Sequence, residues 1–175
     1  MIISNNHIVI RALEPTDVDI LYRWENLPEV HAAGESLWPV SKYVLKKIIQ
    51  ESYLDIYTTK QIRLAIAEVQ TLNLLGTVEL FDFDALHRRA GIGIMIGPEY
   101  RQRKIATEAL LLFEDYCKKT LHLHQLYCNI KASNSASIKL FERVGFEKTA
   151  EKKDWYYTNQ KRWESEYLYQ KILDD

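Results

Sequence analysis

The sequence predicts an α+β fold in which a mixed, mostly antiparallel central sheet is flanked by helices, with elements in the order βααβββαβαββ. Two observations favour this class. Strand-like runs rich in branched residues follow one another at 62–69, 76–83 and 90–96, separated by short polar segments typical of an antiparallel meander. Only one short strand–helix–strand unit follows them, which argues against a doubly wound parallel sheet. The chain has 175 residues, 47% of them apolar, so we expect a single domain spanning 1–175.

The chain begins with a predicted strand and a short helix. Residues 7–13 (HIVIRAL) alternate and are rich in branched side chains, as in a half-buried strand. Thr16, followed three residues later by Asp19, resembles a capping box, and we expect a helix from there to about Asn26.

A loop and a second helix come next. Pro28 and Gly34 predict a loop that reaches Pro39. Ser41 is the expected cap of a helix whose apolar face is formed at helical spacing by Val44, Leu45, Ile48, Ile49 and the pair Ser52/Tyr53.

The long helix after the meander is predicted to start near Lys104. Its apolar stripe consists of Ala106, Ala109, Leu110, Phe113 and Cys117. The charged residues of the same helix are expected on its other faces: Glu108, Glu114, Asp115 and Lys118.

The C-terminal part is predicted as a strand at 126–132, a helix and two final strands. Asn134 is the expected cap of this helix, and Gly145 is placed where a glycine would end it. The final strands are expected at about 146–155 and 163–173.

Composition narrows the function classes. Lys and Arg total 23 and Asp and Glu 24, a balance that argues against a general nucleic-acid binder. No apolar run approaches the ~20 residues that span a bilayer, and the N-terminus lacks a signal-peptide pattern. Cys117 and Cys128 are too few for a disulfide framework or a cysteine zinc site, and His122 with His124 lacks a third ligand at metal spacing. We expect a cytoplasmic protein that binds neither membrane nor metal.

A basic turn precedes the long helix. Arg101, Arg103 and Lys104 lie just before its first turn, where cations oppose the helix dipole unless an anion comes between them. The pattern therefore predicts a phosphate or pyrophosphate site, with a solvated charge cluster as the alternative. No glycine-rich Walker or dinucleotide fingerprint is present.

Two blocks of the sequence resemble the GNAT N-acetyltransferases. PEYRQRKIATEAL (98–110) is similar to the acetyl-CoA signature Arg/Gln-x-x-Gly-x-Gly/Ala, with Arg101 at its first position and Ala106 at its last. NSASIKLFERVGF (134–146) is similar to the second block of that family. Residues 10–26 resemble its N-terminal block. The stretch 78–101 looks most like the bacterial spermidine/spermine acetyltransferases within it.

This resemblance implies acetyl-CoA as the co-substrate and direct attack of a primary amine on its thioester. The family's pyrophosphate site corresponds here to Arg101, Gln102, Arg103, Lys104, Ile105, Ala106 and Thr107. The strand end Ile94, Met95 and Ile96 would splay from its neighbour to bind the pantetheine arm, and Met95 would be placed to donate an N–H to the thioester carbonyl. From the second block, Asn134, Ser137 and Phe141 would also line the cofactor site.

Two departures from the family pattern stand out. Lys104 replaces a glycine that lets the backbone approach phosphate closely. Phe141 replaces the tyrosine that, in many members, protonates the departing thiolate, and a phenylalanine cannot do so. Water or another tyrosine would have to replace it, with Tyr127 as first candidate and Tyr156 or Tyr157 as alternatives. Phe141 is equally explained as a core residue.

Glu79 is the leading candidate for the base. It alternates with Phe81 and Phe83 along one strand, so we expect the carboxylate to share a face with two aromatic rings. The alternative is a solvent-facing carboxylate. Asp82 and Asp84 are expected on the other face, in water at the strand end.

Polyamines are the first expected acceptors, received by acids such as Glu35, Glu51, Asp55 and Glu79. A protein N-terminal amine, as in the ribosomal-protein acetyltransferases, is the second hypothesis, which an open groove would favour. A non-catalytic acyl-CoA-binding sensor is the third, motivated by Lys104 and Phe141. The resemblance also makes a homo-oligomer plausible.

Overall fold

The computed structural model describes residues 3–33, 38–51, 54–158 and 161–173. The strands are β1 (Ile3–Ser4), β2 (Ile8–Ala12), β3 (Ile62–Glu68), β4 (Leu74–Asp84), β5 (Arg89–Ile96), β6 (Gln125–Lys131), β7 (Glu147–Tyr157) and β8 (Trp163–Ile172). The helices are α1 (Val18–Glu25), α2 (Pro28–Ala33), α3 (Lys42–Glu51), α4 (Ile56–Thr59), α5 (Ile105–Lys119) and α6 (Ser135–Arg143). Within these described ranges, no helix is both long and apolar enough to cross a bilayer.

The strands form one sheet in the order β1-β2-β3-β4-β5-β6-β8-β7. Every neighbouring pair is antiparallel except β5 and β6, which are parallel, so the predicted mixed, mostly antiparallel sheet is confirmed. The parallel pairing joins only residues 89–91 to residues 125–127. Beyond Gly91 and Tyr127 the two strands separate, which leaves an opening in the middle of the sheet.

Helices cover both faces of the sheet because successive side chains of each strand point to opposite sides. On one face, the apolar stripe of α5 packs with Val78, Leu80 and Ile92 in the larger core. On the other face, α1 and α3 pack over Ala65 in a smaller core. This second core covers only part of its face, and the polar residues 63, 79 and 127 lie beyond it.

Three short elements were not predicted: β1, α2 and α4. Helix α2 occupies the first half of the expected loop, with Pro28 at its start, where a missing N–H costs nothing. The capping box before α1 was placed wrongly, because it joins Glu14 and Asp17 rather than Thr16 and Asp19.

The predicted caps of the later helices are confirmed. The Ser41 hydroxyl accepts a hydrogen bond from the Val44 N–H at 3.2 Å. The Asn134 side chain accepts one from the Ser137 N–H at 3.1 Å. Gly145 ends α6 with φ at +90°. Of the residues expected on the apolar face of α3, Ser52 and Tyr53 lie outside the described ranges.

Glu114 was expected on a polar face of α5, and this prediction was wrong. The residue is only 7% exposed and accepts a hydrogen bond from Lys171 of β8 at 2.5 Å. A tertiary partner thus compensates part of the cost of burying its charge.

Candidate active site

The opening between β5 and β6 exposes backbone groups of β5. Gly97 donates its N–H to the Leu75 carbonyl on the β4 side at 2.9 Å. Because backbone groups alternate along a strand, Met95 also faces β4, opposite its partner Thr77. The N–H groups of Ile94 and Ile96 therefore point into the opening. The expectation that Met95 supplies the N–H is corrected to these two neighbours, since pairing with β4 already occupies the Met95 backbone.

The N-terminus of α5 lies next to this opening and is a second set of unpaired donors. Lys104 is the N-cap, with φ at +62°, and makes no side-chain cap hydrogen bond. Gln102 also has φ at +62°. Among the described residues, no acceptor is found for the backbone N–H groups of residues 102–107. The Glu108 N–H is the first after them to be paired, and it donates to the Lys104 carbonyl at 3.1 Å. The free N–H groups of residues 102–107 form a cradle suited to an anion.

Two of the basic side chains beside this cradle make contacts outside it. Arg101 forms an ion pair with Glu29 of α2 at 2.7 Å and donates to the Ile96 carbonyl at 3.3 Å. The Arg103 guanidinium lies 5.6 Å from the centre of the Tyr100 ring. Lys104 has the left-handed backbone conformation that glycine normally adopts. The loop therefore keeps the same backbone course as it would with glycine, at a conformational cost.

Two residues of the second block (134–146) have structural roles next to this site. Asn134 uses its side-chain oxygen to cap α6, as described above. The Phe141 side chain is buried, at 4% exposure, and packs edge-on against Phe146 with 5.1 Å between ring centres. Phe141 is therefore a core residue, as its alternative explanation predicted.

Glu79 lies on the face of the sheet opposite α5 and above a floor of glycine. Its cross-strand partner is Gly93, and Oε1 lies 2.8 Å from where a Cβ on Gly93 would be. Phe81 lies over Gly91 in the same way. Because Gly93 has no side chain, the carboxylate can extend across β5 toward the opening.

The aromatic environment expected for Glu79 is only half right. A bulge interrupts the β4–β5 pairing after Phe81, and Asp82 has φ at +49°. This extra residue turns Phe83 to the opposite face, where it is buried against Tyr57. Of the two expected phenylalanine rings, only Phe81 therefore shares the face of Glu79.

Tyr127 joins this face from β6. Its ring packs edge-on against Phe81 at 5.8 Å, and its hydroxyl donates to Asp82 at 3.0 Å. Burial, and then the hydrogen bond and charge of Asp82, raise the pKa of Tyr127 to about 12. Because of its raised pKa and its hydrogen bond to Asp82, the Tyr127 hydroxyl is a poorer proton donor than the sequence analysis predicted. Asp82 is exposed at the strand end, as expected, and there it accepts the Tyr127 hydrogen bond.

Sequence reasoning missed a charged cluster beside Glu79. Arg63 is the direct cross-strand partner of Glu79, but its guanidinium contacts Glu25 at the end of α1 and donates to the Thr77 hydroxyl at 3.2 Å. Arg63 Nε lies 3.9 Å from the second Glu79 oxygen. The only signal in the sequence is an arginine within an otherwise apolar strand run.

An open groove of about 910 Å³ lies at the end of the opening where β5 and β6 are still paired. Its lining includes Lys60, Asp82, Asp84, Arg89, Gln125, Tyr127, Leu168 and Gln170. The two acids are balanced by two cations, and Arg89 binds Asp84 at 3.2 Å. Hydrogen bonds from the His87 backbone and side chain lower the pKa of Asp84 to about 2. The groove is therefore not the strongly acidic pocket that a polyamine would favour most.

The other acids expected to receive a polycation have different positions. Asp55 caps α4 by accepting hydrogen bonds from the Thr58 N–H and hydroxyl, both at 3.0 Å. Glu51 ends α3 and lies 3.7 Å from Lys47. Glu35 lies outside the described residues. Of the three that the structure describes, Glu79 is the one that lies beside the opening.

Comparison with known proteins agrees with this geometry. The sequence model of the acetyltransferase (GNAT) domain matches residues 7–147. Spermidine N(1)-acetyltransferase of Vibrio cholerae is 28% identical over 143 residues, covering 81% of this chain and 80% of that protein. The putative ribosomal N-acetyltransferase YdaF of Bacillus subtilis is 26% identical over 158 residues, covering 89% of this chain and 86% of that protein.

A solved structure shows the same fold. The crystal structure of spermidine N-acetyltransferase from Vibrio cholerae in complex with CoA and spermine superposes with a TM-score of 0.85 at 23% identity, covering 96% of each chain.

Proposed function

The chain belongs to the GNAT family of acetyltransferases, which use acetyl-CoA, and we propose that its acceptor is a primary amine of a polyamine. The observation that carries this proposal is the position of Glu79. Its carboxylate lies over Gly93, between the opening on one side and Arg63 on the other. The similarity to Vibrio cholerae spermidine N(1)-acetyltransferase supports a polyamine as the first acceptor to test.

The residues suited to hold acetyl-CoA are backbone groups. The free N–H groups of residues 102–107 would hold its pyrophosphate, with Arg101 and Lys104 supplying positive charge. The free edge of β5 would hydrogen-bond the pantetheine arm. Ile94 and Ile96 are the candidates to donate an N–H to the thioester carbonyl, an interaction worth about 3 kcal/mol in comparable oxyanion sites.

Glu79 would act on the amine. A carboxylate at this position can bind the acceptor ammonium and take its proton, leaving the neutral amine to attack the thioester carbonyl. Alignment of the two reactants supplies further rate enhancement, because the attack becomes effectively unimolecular.

The departing thiolate would be protonated by water. Phe141 has no proton to give, and the Tyr127 hydroxyl is directed to Asp82. A thiol with a pKa of about 8.5 is a fair leaving group near neutral pH, so a dedicated acid is not required.

A second acceptor class is favoured by the groove. Its open shape and balanced charges suit the N-terminus of a peptide better than they suit a polycation. The similarity to the putative ribosomal acetyltransferase YdaF supports the same alternative.

Self-association also belongs to this proposal. A solved structure of spermidine N-acetyltransferase from Vibrio cholerae is dodecameric, which makes an oligomer of this chain worth testing by light scattering. The cytoplasmic setting expected from the sequence stays a prediction.

The decisive experiment is to follow free thiol release from acetyl-CoA with a panel of polyamines, amino acids, aminoglycosides and N-terminal peptides. We expect release with spermidine or spermine and roughly 10²-fold or more slower release by Glu79→Gln, the loss typical of a missing general base. Release with peptides alone would favour the second acceptor class. Stabilisation by acetyl-CoA without release by any amine would favour a sensor and refute the proposal.

A further inference from the structure

Arg63 has two acidic neighbours and is in close contact with only one of them. The sheet register places it directly opposite Glu79, an arrangement in which opposite charges ordinarily pair across strands. Its guanidinium instead contacts Glu25, while Nε stays 3.9 Å from Glu79. Arg63 therefore pairs closely with Glu25 and only at long ion-pair distance with Glu79.

We propose that Glu25 holds Arg63 away from Glu79 and thereby leaves the Glu79 carboxylate available for the acceptor ammonium. Glu25 is then a positioning residue that determines the affinity for a cationic acceptor, although it lies on a helix and takes no part in the chemistry. This inference rests on the proposed role of Glu79.

Burial makes the Glu25–Arg63 contact strong. The side chains of Arg63 and Glu25 are 22% and 18% exposed, whereas that of Glu79 is 45% exposed. Charge pairs shielded from water attract more strongly than exposed pairs, so Arg63 favours Glu25. Thr77, at 3% exposure, adds two hydrogen bonds to the same guanidinium, at 3.2 and 3.4 Å.

The packing of α1 fixes the position of Glu25. Leu21 and Trp24, both buried, anchor the end of the helix against the smaller core. Trp24 also donates to Glu99 at 3.1 Å, in the turn that follows β5. Contacts with the sheet and with the turn after β5 therefore fix α1, and α1 in turn fixes the Glu25 carboxylate next to Arg63.

The charges of the cluster lead to the same conclusion. Two carboxylates, Glu25 and Glu79, face one guanidinium, which leaves one negative charge unbalanced. An ammonium bound at Glu79 would neutralise it. Removal of Glu25 would let Arg63 neutralise Glu79 instead, and the acceptor would lose its partner.

The variants are expected to move the acceptor KM in opposite directions. In Glu25→Gln, Arg63 turns to Glu79 and the KM for spermidine rises about tenfold, the effect of one lost charge-assisted interaction. In Arg63→Gln the competing cation is gone, so the KM for spermidine falls. The double variant, Glu25→Gln with Arg63→Gln, should return KM close to the wild-type value.

The test is steady-state kinetics with spermidine and, separately, with acetyl-CoA, alongside equilibrium binding of spermidine. The KM for acetyl-CoA should stay unchanged. Asp115→Asn is the matched control, because it removes one negative charge and one exposed ion pair, with Lys119, on α5. Its KM for spermidine should equal that of the wild type.

Three results would overturn the inference. One is an unchanged KM for spermidine in Glu25→Gln, and another is failure of the double variant to restore it. The third is a raised KM in Arg63→Gln, which decides the question even if Glu25→Gln does not fold. A wild-type protein that neither binds nor acetylates spermidine would refute the polyamine proposal and this inference together, whereas normal wild-type turnover with any of the three results would refute this inference alone.

Discussion

The Glu79 carboxylate lies directly over Gly93, so that Oε1 is 2.8 Å from the position of a Cβ at residue 93. Gly93→Ala would push the carboxylate away from β5 by steric contact. We expect kcat/KM for the acceptor to fall about tenfold or more, since positioned general bases are typically worth ~10²- to 10⁴-fold. Binding of CoA, measured by calorimetry, should not change. An unaltered kcat/KM would show that the position of Glu79 over β5 does not matter.

Lys104 has a left-handed backbone conformation at the start of α5. Glycine adopts this conformation without steric cost, whereas other residues lose about 1 kcal/mol or somewhat more. Lys104→Gly should therefore be about 1 kcal/mol more stable in urea denaturation than Lys104→Ala, because both variants lose the charge but only one loses the strain. CoA should bind Lys104→Gly more tightly than Lys104→Ala. Equal stability of the two variants would contradict the backbone argument.

Arg101 is paired with Glu29 beside the anion cradle. Arg101→Ala should weaken CoA binding several-fold and make the remaining binding less sensitive to salt, because one positive charge near the pyrophosphate is lost. Glu29→Gln is the matched variant, since it releases the same guanidinium and should not weaken binding. Calorimetry at low and high salt measures both. Unchanged affinity of Arg101→Ala at low salt would exclude this role.

The Tyr127 hydroxyl donates a hydrogen bond to Asp82, and the pKa of Tyr127 is raised to about 12. Tyr127→Phe should therefore keep kcat within about threefold of the wild type, well below the ~10²-fold or larger loss expected for a general acid. Single-turnover thiol release measures this step directly. A loss of a hundredfold would restore Tyr127 as the proton donor.

Lys171 is the partner of the buried Glu114. Burial raises the pKa of Glu114, and the Lys171 hydrogen bond and charge oppose that rise. Lys171→Met removes the opposing interactions, so ionised Glu114 should destabilise the fold by about 3 kcal/mol at pH 8. Since the folded pKa is the raised one, this loss should be absent below the ordinary carboxyl pKa and should develop as the pH increases through the folded value.

Urea denaturation between pH 4 and pH 8 tests this sign. Glu114→Gln combined with Lys171→Met is the control, because it has no ionisable group at either position and should show no such pH dependence. A Lys171→Met protein that is equally destabilised throughout this range would contradict the explanation.

Much of the fold was readable from local pattern. The strand–helix order, the caps at Ser41 and Asn134 and the glycine at the end of α6 follow from side-chain chemistry within a few residues. The short elements α2 and α4 were missed because one or two turns carry too little periodicity to detect.

The basic turn was also readable, because clustered cations before a helix are a local signal. The contact between Arg63 and Glu25 could not be predicted, because it depends on which strands are neighbours and on their register. Phe83 was misplaced because a single extra residue in a bulge reverses the face of every side chain that follows it.

The sequence by itself determined the order of the longer strands and helices and the cluster of cations before α5, because these depend on near neighbours in the chain. Only the tertiary structure decided that Met95 faces β4, that Phe141 is a core residue and that Glu79 lies over Gly93 with Arg63 directed to Glu25. The physical reason is that each of these depends on pairing and packing between distant segments, which local residue patterns do not encode.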